Sequence, residues 1–223
     1  MQLRKLGRSG PTIHPMGVGA MSFTNFYGPT NESESFAILD AAMVAGVSLI
    51  DTANIYGQGT SETVIGRYLK ANPQSKDIFK IATKVGITRN PDGTGNIFNN
   101  SANHLEQELD KSLARMGIDA VDLYYIHRRD QSLPIEEVVQ TLAGFVKAGK
   151  IKAIGFSEIA PSSLRRAHAV HPIAAVQSEY SLSTRSPELG LIQTCAELGV
   201  ALVAFSPVGR SFLTDSPLTF QAV

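Results

Sequence analysis

Four side chains suited to proton transfer stand at or just beyond the ends of apolar runs in this chain. Asp51 ends one such run, and Tyr56 lies five residues further on, directly before a glycine. Lys84 and His127 end two later apolar runs. Such runs are typical of buried strands, and the carboxyl ends of parallel strands meet at one rim. We therefore expect these four side chains to form one proton-transfer site.

Tyr56 is the candidate proton donor of this site. Free tyrosine titrates near pH ~10, which is too high for efficient acid–base catalysis at neutral pH. An adjacent ammonium lowers the pKa of a phenol, and Lys84 supplies one if it lies next to Tyr56. A buried lysine needs an anionic partner, and Asp51 is placed to be that partner. His127 is then a second donor, which polarises a substrate oxygen as neutral imidazole.

Such a site needs a second reagent that attacks the carbonyl carbon while the oxygen is protonated. No serine, cysteine or metal-ligand cluster in the sequence offers a nucleophile, so we expect a hydride from a nicotinamide and no metal. Each residue alone has an ordinary structural explanation, such as a helix cap for Asp51 or a core position for His127. Their joint occurrence at successive strand ends favours the catalytic interpretation.

The composition is that of a globular protein. Hydrophobic residues make up 43% and charged residues 18% of the 223 residues, and the formal net charge is +0. This balance argues against a nucleic-acid-binding protein, which should carry a basic stripe. The single cysteine, Cys195, excludes an intramolecular disulfide and a cysteine-based zinc cluster. Because neither a signal-peptide pattern nor an apolar run of membrane-spanning length is present, we expect a cytoplasmic enzyme or binding domain without membrane partners.

Strands and helices that must position the site alternate along the chain. A hairpin is predicted over residues 2–13, and 88–100 is predicted to be a loop. Seven strands separated by six helices are predicted at 16–21, 47–51, 78–84, 121–127, 151–157, 174–179 and 200–206. This alternation indicates a parallel sheet.

Either an open doubly wound sheet or a (β/α)8 barrel would satisfy this pattern. The first strand–helix junction carries Gly17 and Gly19 but no G-x-G-x-x-G, so the dinucleotide fingerprint of the open sheet is missing. Polar residues instead end one strand after another, namely Asp51, Lys84, His127, Ser157, Gln177 and Ser206. Their convergence on one rim is typical of barrel enzymes, so we predict one barrel domain over residues 1–223.

Ordered motifs along nearly the whole chain resemble those of the aldo-keto reductases. They are Asp51-Thr-Ala-x-x-Tyr56-Gly57, Ile81-Ala-Thr-Lys84, Leu113-x-Arg115-Met-Gly117, Asp122-Leu-Tyr124-x-x-His127, Gly149-Lys-Ile-x-x-Ile-Gly155-x-Ser157 and Gln177-x-Glu179-Tyr180-Ser181-Leu182. The resemblance implies a (β/α)8 barrel and reduction of a small-molecule carbonyl substrate with a nicotinamide, usually NADPH, with NADH also possible. It also implies a catalytic tetrad of Asp51, Tyr56, Lys84 and His127, with Tyr56 as proton donor.

The same resemblance implies a set of cofactor-binding residues. Ser157 and Gln177 match family positions that hold the nicotinamide carboxamide, and Phe205 matches an aromatic residue that stacks on the nicotinamide ring. The loop after the last strand is expected to meet the pyrophosphate. The complete cofactor-binding set is Gly19, Met21, Asp51, Ser157, Gln177, Phe205, Ser206, Val208 and Arg210. The substrate pocket is expected to include Tyr27, Asn54 and Arg128.

Two features depart from the family pattern. Glu158 stands where the family often has asparagine, and an ionised carboxylate cannot donate to a carboxamide as an amide does. The chain also stops shortly after the seventh predicted strand, so we expect a barrel truncated there, with the C-terminal part that binds the adenosine 2′-phosphate missing. Two other functions therefore stay open, a nucleotide-binding regulatory subunit like the channel β-subunits of the family and a catalytically inactive scaffold.

Overall fold

Eleven strands and seven α-helices are present in the computed structural model, which describes residues 2–90 and 92–217. The strands are β1 (Arg4–Lys5), β2 (Thr12–Ile13), β3 (Gly17–Gly19), β4 (Leu49–Asp51), β5 (Lys80–Val85), β6 (Ile87–Arg89), β7 (Asn96–Phe98), β8 (Leu123–Ile126), β9 (Ile154–Ser157), β10 (Ile173–Glu179) and β11 (Ala201–Phe205). The helices are α1 (Glu32–Val44), α2 (Thr60–Ala71), α3 (Ser75–Ile78), α4 (Ala102–Met116), α5 (Ile135–Lys147), α6 (Pro161–Val170) and α7 (Leu191–Leu198).

Seven of these strands form one parallel sheet whose spatial order follows the chain. The order is β3, β4, β5, β8, β9, β10, β11, and each strand is hydrogen-bonded to the next. The register places Gly19 opposite Asp51 and Asp51 opposite Ala82. All the carboxyl ends therefore lie along one edge of the sheet, as the sequence pattern predicted. Within the described ranges, β3 and β11 are the edge strands of this sheet.

The antiparallel hairpin β1–β2 packs against the amino-terminal ends of the sheet strands. Leu6 and Ile13 are buried in one apolar cluster with Leu49 and Leu123, which lie in β4 and β8. The backbone N–H of Arg8 donates to the carbonyl of Gly199, just before β11, at 2.9 Å. The predicted hairpin is confirmed, and it closes the end of the sheet opposite the predicted site.

Each crossover helix buries one face against the sheet because its apolar residues recur at helical spacing. In α2 the predicted inward residues Val64, Ile65, Tyr68 and Leu69 are all buried. Helix α1 begins at a capping box, in which Asn31 Oδ1 accepts from the backbone N–H of Glu34 at 3.0 Å and Glu34 Oε2 accepts from that of Asn31 at 3.2 Å. These local signals fix where the helices start, and burial of their apolar faces fixes how they dock.

Two predicted elements differ from the structure. The segment 88–100, predicted to be a loop, contains most of an antiparallel hairpin, β6–β7. The strands of this hairpin, which carry Ile87, Ile97 and Phe98, were missed because the intervening Asn, Gly and Pro residues give the sequence the pattern of a loop. The strand predicted to start at residue 78 starts at Lys80, because Ser75–Ile78 forms the short helix α3. No helix in the described part of the chain is long and apolar enough to cross a membrane.

Gly155 in β9 provides a test of how tightly the sheet packs. A Cβ at this buried position would lie 2.5 Å from two ring carbons of Tyr125 and 3.1 Å from the carbonyl oxygen of Ala175. We expect Gly155→Ala to lower the free energy of unfolding by about 1–3 kcal/mol, because the core must shift to accept a methyl group. Chemical denaturation measures this change.

Gly144 serves as the matched control for this substitution. It lies exposed within α5, and a Cβ there would meet nothing within 4 Å. Gly144→Ala should therefore stabilise the protein by roughly 0.5–1 kcal/mol through helix propensity alone. A Gly155→Ala variant as stable as wild type would contradict the packing described for β8, β9 and β10.

Candidate active site

A buried ion pair between Asp51 and Lys84 lies at the centre of the carboxyl-terminal rim. Asp51 ends β4, and Lys84 lies in the neighbouring strand β5 with 1% of its side chain exposed. The Lys84 ammonium donates to both carboxylate oxygens, at 2.6 Å to Oδ1, and also to the carbonyl of Thr52 at 3.0 Å. Burial, the largest single influence, lowers the pKa of Lys84, but the charge of Asp51, the interaction with Tyr56 and the hydrogen bonds to both residues together outweigh it and raise that pKa overall. Lys84 is therefore an ammonium at neutral pH.

Tyr56 stands on the loop after β4 and contacts this ion pair. The Lys84 ammonium donates to the Tyr56 hydroxyl oxygen at 3.3 Å and lies 5.0 Å from the centre of its ring. Burial raises the pKa of Tyr56, and the lowering effect of Lys84 does not cancel it. Lys84 thus acts with the predicted sign, but the predicted net lowering of the phenol pKa is wrong because burial of the phenol has the larger effect. The phenol is neutral at neutral pH and carries a proton that it can donate.

His127 follows β8 and faces Tyr56 across the rim. The two rings meet edge to face with centroids 5.8 Å apart, and His127 is 8% exposed. Burial, followed by the charges of Lys84 and Arg128, lowers the pKa of His127 to about 2. The imidazole is therefore neutral at neutral pH, as the sequence analysis expected. Its Nδ1 atom is buried and has no hydrogen-bond partner among the described residues.

Ser157 and Gln177 extend the site along the rim at β9 and β10. The Gln177 amide nitrogen donates to both oxygens of Asp51, at 3.0 and 3.2 Å. The Ser157 hydroxyl accepts from the Arg128 guanidinium at 3.1 Å, and the same nitrogen donates to the carbonyl of His127 at 2.7 Å. Five predicted site residues are thereby in direct contact, and Ser157 is joined to them through Arg128.

Beyond this cluster lie the predicted residues of the loop that follows β11. Phe205 ends that strand opposite Glu179, and Ser206 and Arg210 adopt left-handed backbone conformations with φ of 48° and 52°. Phe205 and Arg210 line a cleft of about 570 Å³ that opens beside Arg128. Val208 is exposed. None of these side chains contacts the ion pair in the described structure.

The remaining predicted residues lie around β3 and β4. Gly19 pairs in register with Asp51, and a Cβ added to it would meet open space. Met21 follows in a short 3-10 turn, where its sulfur accepts the hydroxyl of the exposed Tyr27 at 3.8 Å. Asn54, expected in the substrate pocket, is buried, and its amide donates to Glu108 of α4 at 2.8 Å. Its amide nitrogen is thus engaged on the helix layer, whereas its Oδ1 atom is buried and has no hydrogen-bond partner among the described residues.

Three charged residues with structural contacts near the site had no predicted role. Glu62, whose side chain is fully buried, forms an ion pair with the partly exposed Arg115 beneath the Tyr56 loop. Glu158 adopts φ of 52°, and its carboxylate accepts from the Glu179 backbone N–H at 2.8 Å and from the Ser178 hydroxyl at 3.1 Å. The left-handed conformation explains the usual asparagine here, because asparagine tolerates it better than most residues. The substitution itself was the only sequence signal for Glu158.

Comparisons with known proteins report on the family of this chain. A model of the Aldo/keto reductase family matches residues 15–220. The chain is 42% identical over 217 residues to aldo-keto reductase yakc of Schizosaccharomyces pombe, which is named for NADP(+), with 96% of this chain and 63% of that protein covered. It is 43% identical over 230 residues to aldo-keto reductase str7 of Strobilurus tenacellus, with 98% of this chain and 65% of that protein covered.

A solved structure of the same family is similar to this chain in its fold. The holo form of aldo-keto reductase AKR11C1 from Bacillus halodurans superposes with a TM-score of 0.86 at 30% identity, over 99% of this chain and 71% of that one. The predicted α/β barrel class is thereby confirmed. The chain spans 63% and 65% of the length of the two curated relatives above, which is less than two thirds.

The lowered pKa of His127 predicts a pH dependence of stability. Unfolded histidine titrates near pH ~6.5, whereas the folded pKa is about 2. Between these values the unfolded chain binds a proton that the folded protein does not, so stability falls as the pH falls. Relative to His127→Asn, the wild type should lose about 1.4 kcal/mol per pH unit below about pH 6. Denaturation curves at several pH values measure this; parallel pH profiles for the two proteins would contradict it.

Proposed function

We propose, since the chain belongs to the aldo/keto reductase family, that it forms the catalytic part of a reductase. This reductase converts an aldehyde or ketone to an alcohol, with NADPH as hydride donor and Tyr56 as proton donor. The observation that carries the proposal is the direction of one hydrogen bond. The Tyr56 oxygen accepts from Lys84 at 3.3 Å, so its own O–H is free to donate away from the ion pair.

The protein side of the reaction follows from the charges around Tyr56. The neutral phenol gives its proton to the substrate oxygen as negative charge develops there. The ammonium of Lys84 then stabilises the phenolate that remains, and Asp51 keeps Lys84 charged in a buried site. Neutral His127 stands edge to face with Tyr56 and serves as the second donor to the same oxygen.

The hydrogen-bonding groups of Ser157 and Gln177 fit a nicotinamide carboxamide. Because Arg128 donates to the Ser157 oxygen, the Ser157 hydrogen is free to donate to a carbonyl oxygen. Because the Gln177 nitrogen donates to Asp51, the Gln177 oxygen is the atom suited to accept from an amide N–H₂. When bound, NADPH supplies the hydride that attacks the carbonyl carbon. The NADP(+) in the name of the fission-yeast relative supports this choice of cofactor.

The Tyr56 hydroxyl is the group whose removal tests the reaction. Tyr56→Phe should lower reductase turnover by at least about 100-fold, because the proton donor is lost, while the affinity for NADPH stays within about twofold. The measurement is aldehyde-dependent oxidation of NADPH together with a fluorescence titration of the cofactor. Tyr180→Phe is the control, since that hydroxyl donates to Glu188 on the surface. Full turnover in Tyr56→Phe would refute the assignment.

Removal of the Ser157 hydroxyl tests the cofactor site. Ser157→Ala removes one donor to the carboxamide and should weaken NADPH binding by about 2- to 10-fold, the ordinary range for one hydrogen bond. Ser75→Ala is the matched control, because its buried hydroxyl donates to the carbonyl of Asn72 at 2.6 Å, at the start of α3 and away from the cleft beside Arg128. Equal NADPH affinities for Ser157→Ala and wild type would remove Ser157 from the cofactor site.

A further inference from the structure

The loop that carries Tyr56 has an unusual backbone. Gly57, Gln58 and Gly59 follow one another with φ of 56°, 53° and 91°, all in the left-handed region. Gln58 has a side chain, so this conformation is strained there and persists only if the surroundings hold it in place. Because Tyr56 directly precedes these three residues, whatever holds them also holds the phenol beside Lys84.

Glu62 joins the end of this loop to the strand that carries Lys84. It lies in the first turn of α2, and its side chain is fully buried. One carboxylate oxygen accepts from the Thr83 hydroxyl at 2.5 Å, and the other accepts from Arg115 Nε at 2.7 Å. Thr83 immediately precedes Lys84 in β5. A single carboxylate therefore connects the two segments on which the proton donor and its ammonium partner stand.

Arg115 of α4 contacts both Glu62 and the last glycine of the loop. Its side chain covers Gly59 so closely that a Cβ there would lie 2.7 Å from Arg115 Cδ and 2.9 Å from Nε. Its guanidinium pairs with Glu62 at 2.6 Å and donates to Ser112 at 3.2 Å. The crossing of α2 on α4 is equally close, since a Cβ on Gly66 would lie 2.2 Å from the Arg115 carbonyl oxygen. Both helices are therefore closely packed where the pair forms.

We propose that Glu62 and Arg115 are positioning residues, which hold Tyr56 within hydrogen-bonding distance of Lys84. The inference rests on the proposed function, because its kinetic consequence is slower proton donation by Tyr56. The pair touches neither the ion pair of Asp51 and Lys84 nor Gln177, so cofactor binding is independent of it. When the pair is broken, the left-handed loop relaxes and the phenol moves away from the ammonium.

The test compares paired substitutions that leave no unpaired buried charge. Glu62→Gln with Arg115→Met removes both charges beneath the loop, whereas Glu136→Gln with Arg166→Met removes an exposed pair between α5 and α6 as the control. Glu62→Gln alone keeps the shape of the side chain. It replaces the double variant in the test if the double variant does not fold. Arg115→Lys keeps the charge and tests whether the fork of the guanidinium is needed.

Two measurements are made on each variant. Hydrogen–deuterium exchange over residues 57–62 reports the loop directly and needs no activity. Steady-state kinetics with NADPH and an aromatic aldehyde report kcat, KM and the cofactor Kd. We expect faster exchange in the loop and a kcat about 10- to 100-fold lower in the Glu62 variants, with KM and Kd changed by less than about twofold, as expected for a misplaced catalytic group. Arg115→Lys should recover part of kcat.

The results of these measurements show which of the two proposals fails, the positioning role or the proposed function. Unchanged exchange at residues 57–62 in both Glu62 variants would overturn the positioning role, whether or not the wild type is active. An equal fall of kcat in the control pair would overturn it as well, since the effect would then be general. A wild type that binds NADPH but turns over no aldehyde would refute the proposed function alone, and the exchange result would still decide the role of Glu62 and Arg115.

Discussion

The buried ion pair of Asp51 and Lys84 is the interaction on which the rest of the rim depends. An ammonium with 1% exposure must be neutralised, and the parallel register of β4 and β5 brings the carboxylate of Asp51 to it. The same carboxylate accepts from Gln177, so it also ties the first strands of the sheet to β10. Tyr56 contacts Lys84, and Gln177, which we propose to hold the nicotinamide carboxamide, contacts Asp51. Loss of the pair would therefore remove the contact that links Tyr56 to Gln177.

Burial gives each group of the site its protonation state. Lys84 remains charged because the charges and hydrogen bonds around it outweigh burial. Burial of Tyr56 outweighs the effect of Lys84 on its pKa, and His127 is buried beside the positive charges of Lys84 and Arg128, so both groups stay neutral. A neutral phenol held against an ammonium is a donor whose conjugate base is already stabilised. The rim therefore combines a phenol that keeps its proton with an ammonium that stabilises the charge left after donation, as the proposed reduction of a carbonyl group requires.

Much of the rim could be predicted from sequence because parallel strands end together. Asp51, Lys84 and His127 close apolar runs, and this alone indicates that they converge. The net direction of the Tyr56 pKa was missed, since it depends on depth of burial rather than on the neighbour that sequence reveals. The pairing of Glu62 with Arg115 was also missed, because it arises where α2 crosses α4, 53 residues apart in the chain. The contacts of Glu158 follow from a backbone conformation that its residue type does not suggest.

The proposed proton donation depends on the protonation state of Tyr56, which carbon-13 NMR of ring-labelled tyrosine measures most directly. The Tyr56 resonance, assigned by its absence in a Tyr56→Phe sample, is followed through an alkaline titration. A phenol held neutral by burial should titrate above the ordinary value of about 10. A midpoint below that value would mean that Lys84 already draws the phenolate form, and the neutral-donor description of the site would be wrong.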